Sequence, residues 1–286
     1  MFISCLQSIF CKLDWQEKKY GLCVGEAHLT NLRFADDFVL IAKSTGEPQQ
    51  MMNDLTRESS RVGLNVNKAK TKIMSKTPAS ININNQPLGN VTNYPYLGNL
   101  VSVDGDHEPE VARRIGLAWN NFKKLDEYLI QPKFPLSLKK KIFMQCIVPT
   151  MTYASETWII TKKLESKIRS AQLQMERKML GVRWEEKRTN ASIKEETKLP
   201  DVLQRIKSSK WSWAGHVARA LAKENWYGSI RDWKPPGRRS RGRPKMRWIG
   251  VVRRYAGTNW IDRAQDRDKW QELREAYVQQ WNPGGC

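Results

Sequence analysis

Apolar residues at the start of the chain follow first a helical spacing and then a strand-like one. Residues Phe2–Lys19 place them three or four positions apart, which predicts an amphipathic helix that Gly21 ends. The next stretch, LCVGEAHLTNLRFADDFVLIA, has short apolar runs broken by Gly25-Glu26 and by Asp36-Asp37. Short runs separated by such turn residues are typical of β-hairpins.

A second helix and more strands complete this first part. Gly46-Glu47-Pro48 opens a helical stretch with its apolar residues on one face, and Gly63 follows as a left-handed cap. The segments TKIMS, SININ and YLGNLVSV predict short strands, and Asn85-Gln86-Pro87 predicts a turn between two of them. Residues 1–104 are therefore predicted to form a small α+β unit.

Beyond residue 104 the strand signals fade and helical periodicity dominates. The helical segments are Val111–Tyr128, Leu136–Ala154, Leu164–Leu180, Leu203–Ala222 and Ile261–Gln280. Between the last two lies RDWKPPGRRSRGRPKMRW, whose Pro, Gly and Arg content predicts a loop or an arm that orders on binding. The predicted fold is α+β, with domains at 1–104, 105–222 and 223–286.

The distribution of charge separates the two parts further. The chain has 49 Lys and Arg against 29 Asp and Glu, a net charge of +20. Residues 1–110 hold 11 basic and 12 acidic side chains, whereas residues 111–286 hold 38 and 17. Such a basic excess favours polyanionic partners, so RNA and DNA are the predicted partners of the second part.

Several classes of protein are disfavoured. Five cysteines without a CxxC pair indicate neither a disulfide framework nor a zinc ribbon, which favours a reducing nuclear or cytoplasmic compartment. No apolar run approaches the ~20 residues of a membrane helix, and MFISCLQSIF lacks the basic start of a secretory signal. His28, His107 and His216 are scattered, and we expect them to be surface or core residues rather than metal ligands.

Asp36 and Asp37 are the leading candidates for chemistry. A tight hairpin turn holds adjacent carboxylates near its exposed tip, and carboxylate oxygens are ligands that Mg²⁺ prefers. Two-metal phosphoryl transfer, with ions roughly 3.5–4 Å apart, needs carboxylates from more than one element. A solvated turn is the alternative, because Asp is common in turns.

The sequence around Asp36 and Asp37 favours the metal-binding interpretation over a solvated turn. FADD followed by FVLIA, a helix, GLNVNKAKTKIM and YPYLGNLVS resembles, in order and spacing, the third palm motif, the lysine-bearing motif and the primer grip of reverse transcriptases. The enzymes it resembles are those of non-LTR (LINE-type) retrotransposons, which are encoded with an endonuclease. Downstream, IVPTMTYASETW, KLESKIRSAQLQMERKMLG and RGRPKMRW look like their helical thumb and basic C-terminal region, so the resemblance covers essentially the whole chain.

The resemblance implies a partial palm and assigns roles to its residues. Asp36 would ligate Mg²⁺, with Asp37 beside it in a lesser role. Lys70 would lie near the pyrophosphate leaving group, as general acid or charge stabiliser. Phe34 would lie at the base of the incoming deoxynucleoside triphosphate and the primer end, and Tyr96, Leu97 and Gly98 would grip the primer strand.

One part of the family pattern has no counterpart here. In a complete enzyme a further metal-binding aspartate lies on a strand well upstream of the pair, and the fingers precede it. Asp14, Glu17 and Glu26 do not stand where that carboxylate is needed. Because the metal ions and the transition state both need its charge, we expect a half-built metal site and no polymerase activity of the chain alone.

The basic part contains further candidates for binding nucleic acid. Arg-Gly-Arg-Pro looks like an AT-hook, a narrow tract that fits the minor groove of A·T-rich DNA, with a solvated linker as the alternative. Its cations are Arg238, Arg239, Arg241, Arg243 and Lys245. All twelve tryptophans except Trp15 stand at or after Trp119, and we expect at most half of these to stack on bases while the others fill cores.

The segment KLPDVLQRIKSSKWSWAGHVARA is predicted to form a packed amphipathic helix, with Lys207 and Lys210 pointing to water.

The sequence features together predict two alternative functions. The first is the C-terminal portion of a LINE-type reverse transcriptase. The second is a non-enzymatic protein that binds nucleic acid through the basic helical part and the AT-hook-like arm.

Overall fold

The computed structural model describes residues 2–44, 46–220 and 246–279. They divide into two compact units: unit 1 lies within Met1–Gly105, and unit 2 comprises residues 106–220 and 246–279. Unit 1 mixes helices with short strand pairs, and the described residues of unit 2 form helices and connecting loops. The α+β prediction is thereby confirmed, while the assignment to palm, thumb and tail stays a prediction.

Unit 1 contains short strand pairs around two helices. Its elements are α1 (Phe2–Cys11), β1 (Leu22–Val24), β2 (Ala27–Leu29), β3 (Asn31–Phe34), β4 (Asp37–Leu40), α2 (Glu47–Arg61), β5 (Lys72–Met74), β6 (Asn82–Ile83), β7 (Gln86–Pro87), β8 (Gly89–Val91), β9 (Asn93–Tyr96) and β10 (Asn99–Ser102). The pairs β1–β2, β3–β4, β6–β7 and β9–β10 are antiparallel hairpins, and β5 pairs with β8 in parallel.

Three predictions in unit 1 need correction. The segment YLGNLVSV is not one strand, because Leu97 and Gly98, at positive φ, form the turn between β9 and β10. The first helix ends at Cys11 rather than Lys19, because Asp14 and Lys19 adopt φ values of +50° and +54°, which a right-handed helix cannot include. The turn predicted at Asn85-Gln86-Pro87 is formed by Asn84 and Asn85, with φ values of +48° and +60°. Asparagine tolerates this conformation, and the following Gln86 and Pro87 lie in β7.

Helix α2 holds unit 1 together, because each of its sides contributes to a different apolar cluster. Met51 and Leu55 pack with α1 residues such as Leu6 and Ile9. Met52, one position further along, packs instead with the strand residues Ile73, Ile81, Ile83 and Leu88. Side chains of β4 join the first cluster, so the β3–β4 hairpin is fixed to the two helices.

Unit 2 is built from ten described helices of unequal length. They are α3 (Glu108–Lys124), α4 (Asp126–Leu129), α5 (Leu136–Ile142), α6 (Val148–Thr152), α7 (Lys162–Leu180), α8 (Asn190–Thr197), α9 (Val202–Ala220), α10 (Trp248–Ala256), α11 (Trp260–Arg263) and α12 (Arg267–Gln279). None of the helices in the described ranges is long and apolar enough to cross a membrane.

Three predicted helices of unit 2 are interrupted. Val111–Tyr128 divides at Leu125, whose φ of −110° and ψ of +12° separate α3 from α4. Leu136–Ala154 divides into α5 and α6 around a π-helical turn at Phe143–Ile147, because Pro149 has no N–H to donate to the preceding turn. Ile261–Gln280 divides into α11 and α12, since the side chain of Asp266 accepts hydrogen bonds from the backbone N–H groups of residues 268 and 269, both at 3.1 Å. Such an N-cap starts a new helix.

Helix α9 belongs to both apolar clusters of unit 2. Leu203 and Ile206 pack with residues from α3, α6 and α7 in the larger cluster. Trp211, Ala214 and Ala218 pack with residues of α10, α11 and α12 in the smaller one. A helix shared in this way is enclosed on more than one side.

The prediction that Lys207 and Lys210 point to water is wrong. Their exposed fractions are 6% and 5%, because α9 packs on more than the single face that its periodicity indicates. The Lys207 amine lies 3.4 Å from a carboxylate oxygen of Glu165. The Lys210 amine donates a 2.6 Å hydrogen bond to the Trp158 carbonyl oxygen, and burial lowers its pKa to about 8.

Many of the tryptophans serve the core. Trp158, Trp211, Trp260 and Trp270 are buried. The rings of Trp211 and Trp270 stack with centroids 4.6 Å apart, and each indole N–H donates to the other residue's carbonyl oxygen at 3.0 Å. This pair fastens α12 to α9.

Gly215 allows that stack to form. A Cβ at Gly215 would lie 2.6 Å from the Trp270 indole nitrogen. We expect Gly215→Ala to lower the free energy of unfolding by about 1–3 kcal/mol, because the overpacked stack must shift. Urea unfolding followed by far-ultraviolet circular dichroism measures this change.

Gly116→Ala is the matched control for Gly215→Ala. Gly116 also lies inside a helix, but its Cβ would meet open space. Alanine is the better helix former, so this variant should gain up to ~1 kcal/mol. Equal effects of the two substitutions would contradict the close packing at Gly215.

Candidate nucleic-acid site at the aspartate hairpin

The two aspartates stand at the tip of the β3–β4 hairpin. Phe34 pairs with Asp37, so Ala35 and Asp36 form the two-residue turn. Ala35 has φ of +50°, a conformation that is uncommon for a residue with a Cβ. The tip therefore holds backbone strain of the kind that concentrates at functional sites.

Every predicted site residue of this hairpin faces solvent. Asp36 and Asp37 are exposed, and the Phe34 side chain is 62% exposed. Neither carboxylate pairs with a cation within the described ranges, and both remain available to a ligand. An exposed phenylalanine beside two exposed carboxylates gives a ligand both apolar and charged contacts.

The base of the hairpin is fixed while its tip is free. Phe38 and Leu40 of β4 pack against the apolar cluster formed by α1 and α2. The Phe38 ring meets the Phe10 ring edge-on with centroids 5.8 Å apart. Arg33 on β3 places its guanidinium 4.5 Å from the same Phe10 ring and donates to Gln7 at 3.0 Å. The direction of the tip is thus set by α1.

The predicted primer grip forms the tip of another hairpin, β9–β10. Tyr96 pairs with Asn99, and the turn consists of Leu97 and Gly98, with φ values of +49° and +75°. Positive φ at both turn residues is characteristic of the tight type I′ hairpin turn. Leucine is an unfavourable residue there, and its side chain is 38% exposed.

The two hairpin tips are close enough to interact electrostatically. Burial raises the pKa of Tyr96, and the negative charge of Asp37 raises it further. The charge of a residue on one hairpin thus acts on a residue about sixty positions further along the chain, on the other hairpin.

Lys70 is connected to the grip hairpin through the backbone. The hydroxyl of Tyr94, on β9, donates a 3.0 Å hydrogen bond to the carbonyl oxygen of Lys70. The Lys70 backbone N–H in turn donates to the Asn67 side chain at 3.1 Å, and the Lys70 side chain is exposed. Tyr94 was missed in the sequence, although its i, i+2 relation to Tyr96 in a strand was a usable signal.

The carboxylates do not by themselves fit a two-metal centre. Among the residues that the structure describes, no three His, Cys, Asp or Glu side chains are grouped so that they could hold a metal ion. Asp36 and Asp37 are consecutive on one hairpin, whereas a two-ion site needs ligands from separate elements. Binding of Mg²⁺ at this hairpin therefore stays a prediction.

The AT-hook-like tract lies outside the described residues. Arg238, Arg239, Arg241, Arg243 and Lys245 all belong to it. Their role stays a prediction from sequence.

The electrostatic coupling between the two hairpins can be measured through Tyr96. We expect Asp37→Asn to lower the pKa of the Tyr96 phenol, because a neutral amide no longer opposes formation of the phenolate. The pKa should stay above its ordinary value, since burial is the larger cause. Carbon-13 NMR of labelled tyrosine, assigned with Tyr96→Phe, gives this pKa, and an identical value in Asp37→Asn would contradict the electrostatic coupling.

Comparison with known proteins identifies a relative of this chain. No family model matches the chain. Over 226 residues the chain is 31% identical to a transposon-derived protein of Caenorhabditis elegans, and the match covers 74% of this chain and 79% of that protein. Identity over this length indicates common descent. The chain belongs to the family of transposon-derived proteins that this nematode protein represents.

Proposed function

We propose that the chain is part of a LINE-type retrotransposon reverse transcriptase and that unit 1 binds the 3′ end of a primer. The observation that carries this proposal is a pair of hairpin tips that each hold a non-glycine residue at positive φ, Ala35 in one and Leu97 in the other. The charge of Asp37 also raises the pKa of Tyr96, which supports an electrostatic link between the two hairpins. In a solvated turn without a function, neither the strain at Ala35 nor an exposed Phe34 beside it is required.

Each part of the site has a role in this proposal. Phe34 offers an exposed ring on which the terminal base pair of the primer stacks. Tyr96, Leu97 and Gly98 contact the sugar-phosphate backbone of the primer strand, where a turn made of small and apolar groups permits close approach. The Tyr94 hydrogen bond ties the Lys70 backbone to β9, the strand that leads into the grip turn, and the exposed Lys70 side chain supplies a positive charge for the phosphates.

The proposal assigns primer binding, and not nucleotide addition, to the described residues. Asp36 and Asp37 provide two of the carboxylates that a polymerase uses, but the described residues do not group a third one with them. The chemistry of chain extension needs charge that these two groups alone do not supply.

Photo-crosslinking from the hairpin tip tests primer binding. The Phe34→p-benzoylphenylalanine variant keeps an aromatic side chain at the exposed tip and captures nearby carbon–hydrogen bonds on irradiation. With a labelled DNA primer on an RNA template, we expect crosslinks to the last nucleotides at the primer 3′ end. Sequencing of the crosslinked primer locates them.

The matched control carries the same group at Val62, an exposed apolar residue at the end of α2. Equal crosslinking from Val62, or crosslinks from position 34 spread along the duplex, would refute the assignment. In the same mixture, Mg²⁺ and deoxynucleoside triphosphates should give no primer extension. Extension that Asp36→Asn abolishes would show that the metal site is complete.

A second function, binding of nucleic acid without catalysis, is favoured by the charge of residues 111–286, which hold 38 basic and 17 acidic side chains. Not all of these cations are available, since Lys139, Lys207 and Lys210 are buried. The exposed ones can replace the counterions of a nucleic-acid backbone, and the tract at 238–245 adds further cations.

Salt dependence tests this second function. We expect the affinity for duplex DNA to fall by at least about tenfold between about 50 and about 200 mM salt, because bound counterions are released. Replacing Arg241 and Arg243 by Gln should make the plot of log affinity against log salt less steep and remove a preference for A·T-rich duplexes. Fluorescence anisotropy measures both, and affinity independent of salt would contradict an electrostatic interface.

A further inference from the structure

An aromatic cluster lies on the surface of unit 2 between α4 and α5. The rings of Tyr128 and Phe134 have centroids 5.5 Å apart and are tilted by 44°. Tyr128 is 42% exposed, and Ile130 and Leu138 nearby are each 37% exposed. Half of the large apolar side chains that the described residues of unit 2 expose therefore lie within residues 128–138. We call the surface formed by Tyr128, Ile130, Lys133, Phe134 and Leu138 the α4–α5 platform.

Buried contacts hold the segment that carries the platform in place. Lys139 is buried, and its amine donates hydrogen bonds to the carbonyl oxygens of Ile130 at 3.2 Å and Met179 at 2.9 Å. Leu129 is fully buried in the larger apolar cluster of unit 2. Pro132 and Pro135 reduce the backbone freedom of the connecting loop. The exposed Tyr128 ring and the half-buried Phe134 ring are thus pre-organised, and a ligand does not have to order them.

Exposed lysines occur within and next to the segment that carries the two rings. The amine of Lys133 lies 5.1 Å from the Phe134 ring centroid, which is a cation–π distance. Lys123 and Lys124 end α3, and Lys141 lies on α5, all three exposed. Asp126 and Glu127 on α4 are exposed as well. The exposed cations outnumber these two carboxylates, so the platform attracts an anionic ligand.

We propose that the α4–α5 platform binds single-stranded nucleic acid, with an unpaired base stacked on Tyr128 and Phe134 and the adjacent phosphates held by Lys133 and the exposed lysines next to it in the chain. Exposed aromatic rings among cations are the general means by which proteins hold unpaired strands, because every base offers a flat face. A duplex keeps its bases stacked inside and gains only the electrostatic part. This inference rests on the proposed function in one respect, that nucleic acid is the ligand, but it uses a different surface.

Fluorescence anisotropy of the full chain with labelled oligonucleotides tests the platform. The probes are single-stranded dT20 and U20 and a DNA duplex of equal length. We expect Tyr128→Leu to weaken binding of the single strands about tenfold, since one base loses its aromatic partner. Duplex affinity should change less than about twofold. Tyr128→Phe should bind as the unaltered chain does, because stacking needs the ring and not the hydroxyl.

Tyr153→Leu is the matched control, because Tyr153 is a half-exposed tyrosine of the same unit outside the platform. It should leave the difference between single strand and duplex unchanged. Lys133→Gln is a second surface variant whose effect should be a smaller dependence of single-strand affinity on salt. Circular dichroism confirms that each variant is folded.

Three outcomes would overturn the proposal: unchanged single-strand affinity in Tyr128→Leu, an equal loss for the duplex, or an equal loss in Tyr153→Leu. The first of these is also expected if the platform instead docks a protein. Crosslinking from position 34 reads out the proposed function separately. If the crosslinks form at the primer 3′ end while Tyr128→Leu has no effect, only the platform is refuted. If those crosslinks are absent while Tyr128→Leu weakens single-strand binding, only the primer-end site is refuted.

Discussion

The packing of strand β4 onto helix α1 is the contact on which the candidate site of unit 1 depends. Phe38 and Leu40 enter the apolar cluster of α1 and α2, and the Phe10–Phe38 ring contact fixes their position. This burial holds one end of the hairpin and leaves Phe34, Asp36 and Asp37 in solvent. The strain at Ala35 can persist only because the strands below it are held. Exposure at the tip and burial at the base are two parts of one arrangement.

In unit 2 the net charge does not count the cations that a ligand can reach, because some of the lysines are buried. Lys139, Lys207 and Lys210 contribute to the basic excess, yet each is buried and bound to a carbonyl or a carboxylate. These lysines connect helices: Lys139 fastens the loop before α5 to the end of α7, and Lys210 fastens α9 to the turn at Trp158. The cations that can meet a polyanion are the remaining, exposed ones, and around the α4–α5 platform they accompany exposed rings.

Local sequence patterns predicted the turns, caps and helix ends that depend only on residues next to one another in the chain. The hairpin at Asp36-Asp37 and the left-handed Gly63 follow from short-range turn and cap preferences, and the structure contains both. Pro149 and Asp266 were also readable signals of interrupted helices, because a missing N–H and an N-cap act locally. The two Asn residues at 84 and 85 explain a turn that was predicted one residue too late.

Local sequence patterns could not predict the contacts between segments that are distant in the chain. The burial of Lys207 and Lys210 depends on α9 joining two clusters, which its own periodicity does not reveal. The influence of the Asp37 charge on Tyr96 links hairpins that no spacing rule connects. Tyr128 and Phe134 come together because a loop is anchored by Lys139, so neither residue stood out alone.

A structure of the full chain bound to an RNA template with a DNA primer tests the central claim most directly. The account predicts that the terminal base pair of the primer rests on Phe34 and that the grip residues Tyr96, Leu97 and Gly98 contact the backbone of the same strand. A primer 3′ end located on unit 2, or away from both hairpin tips, would contradict it.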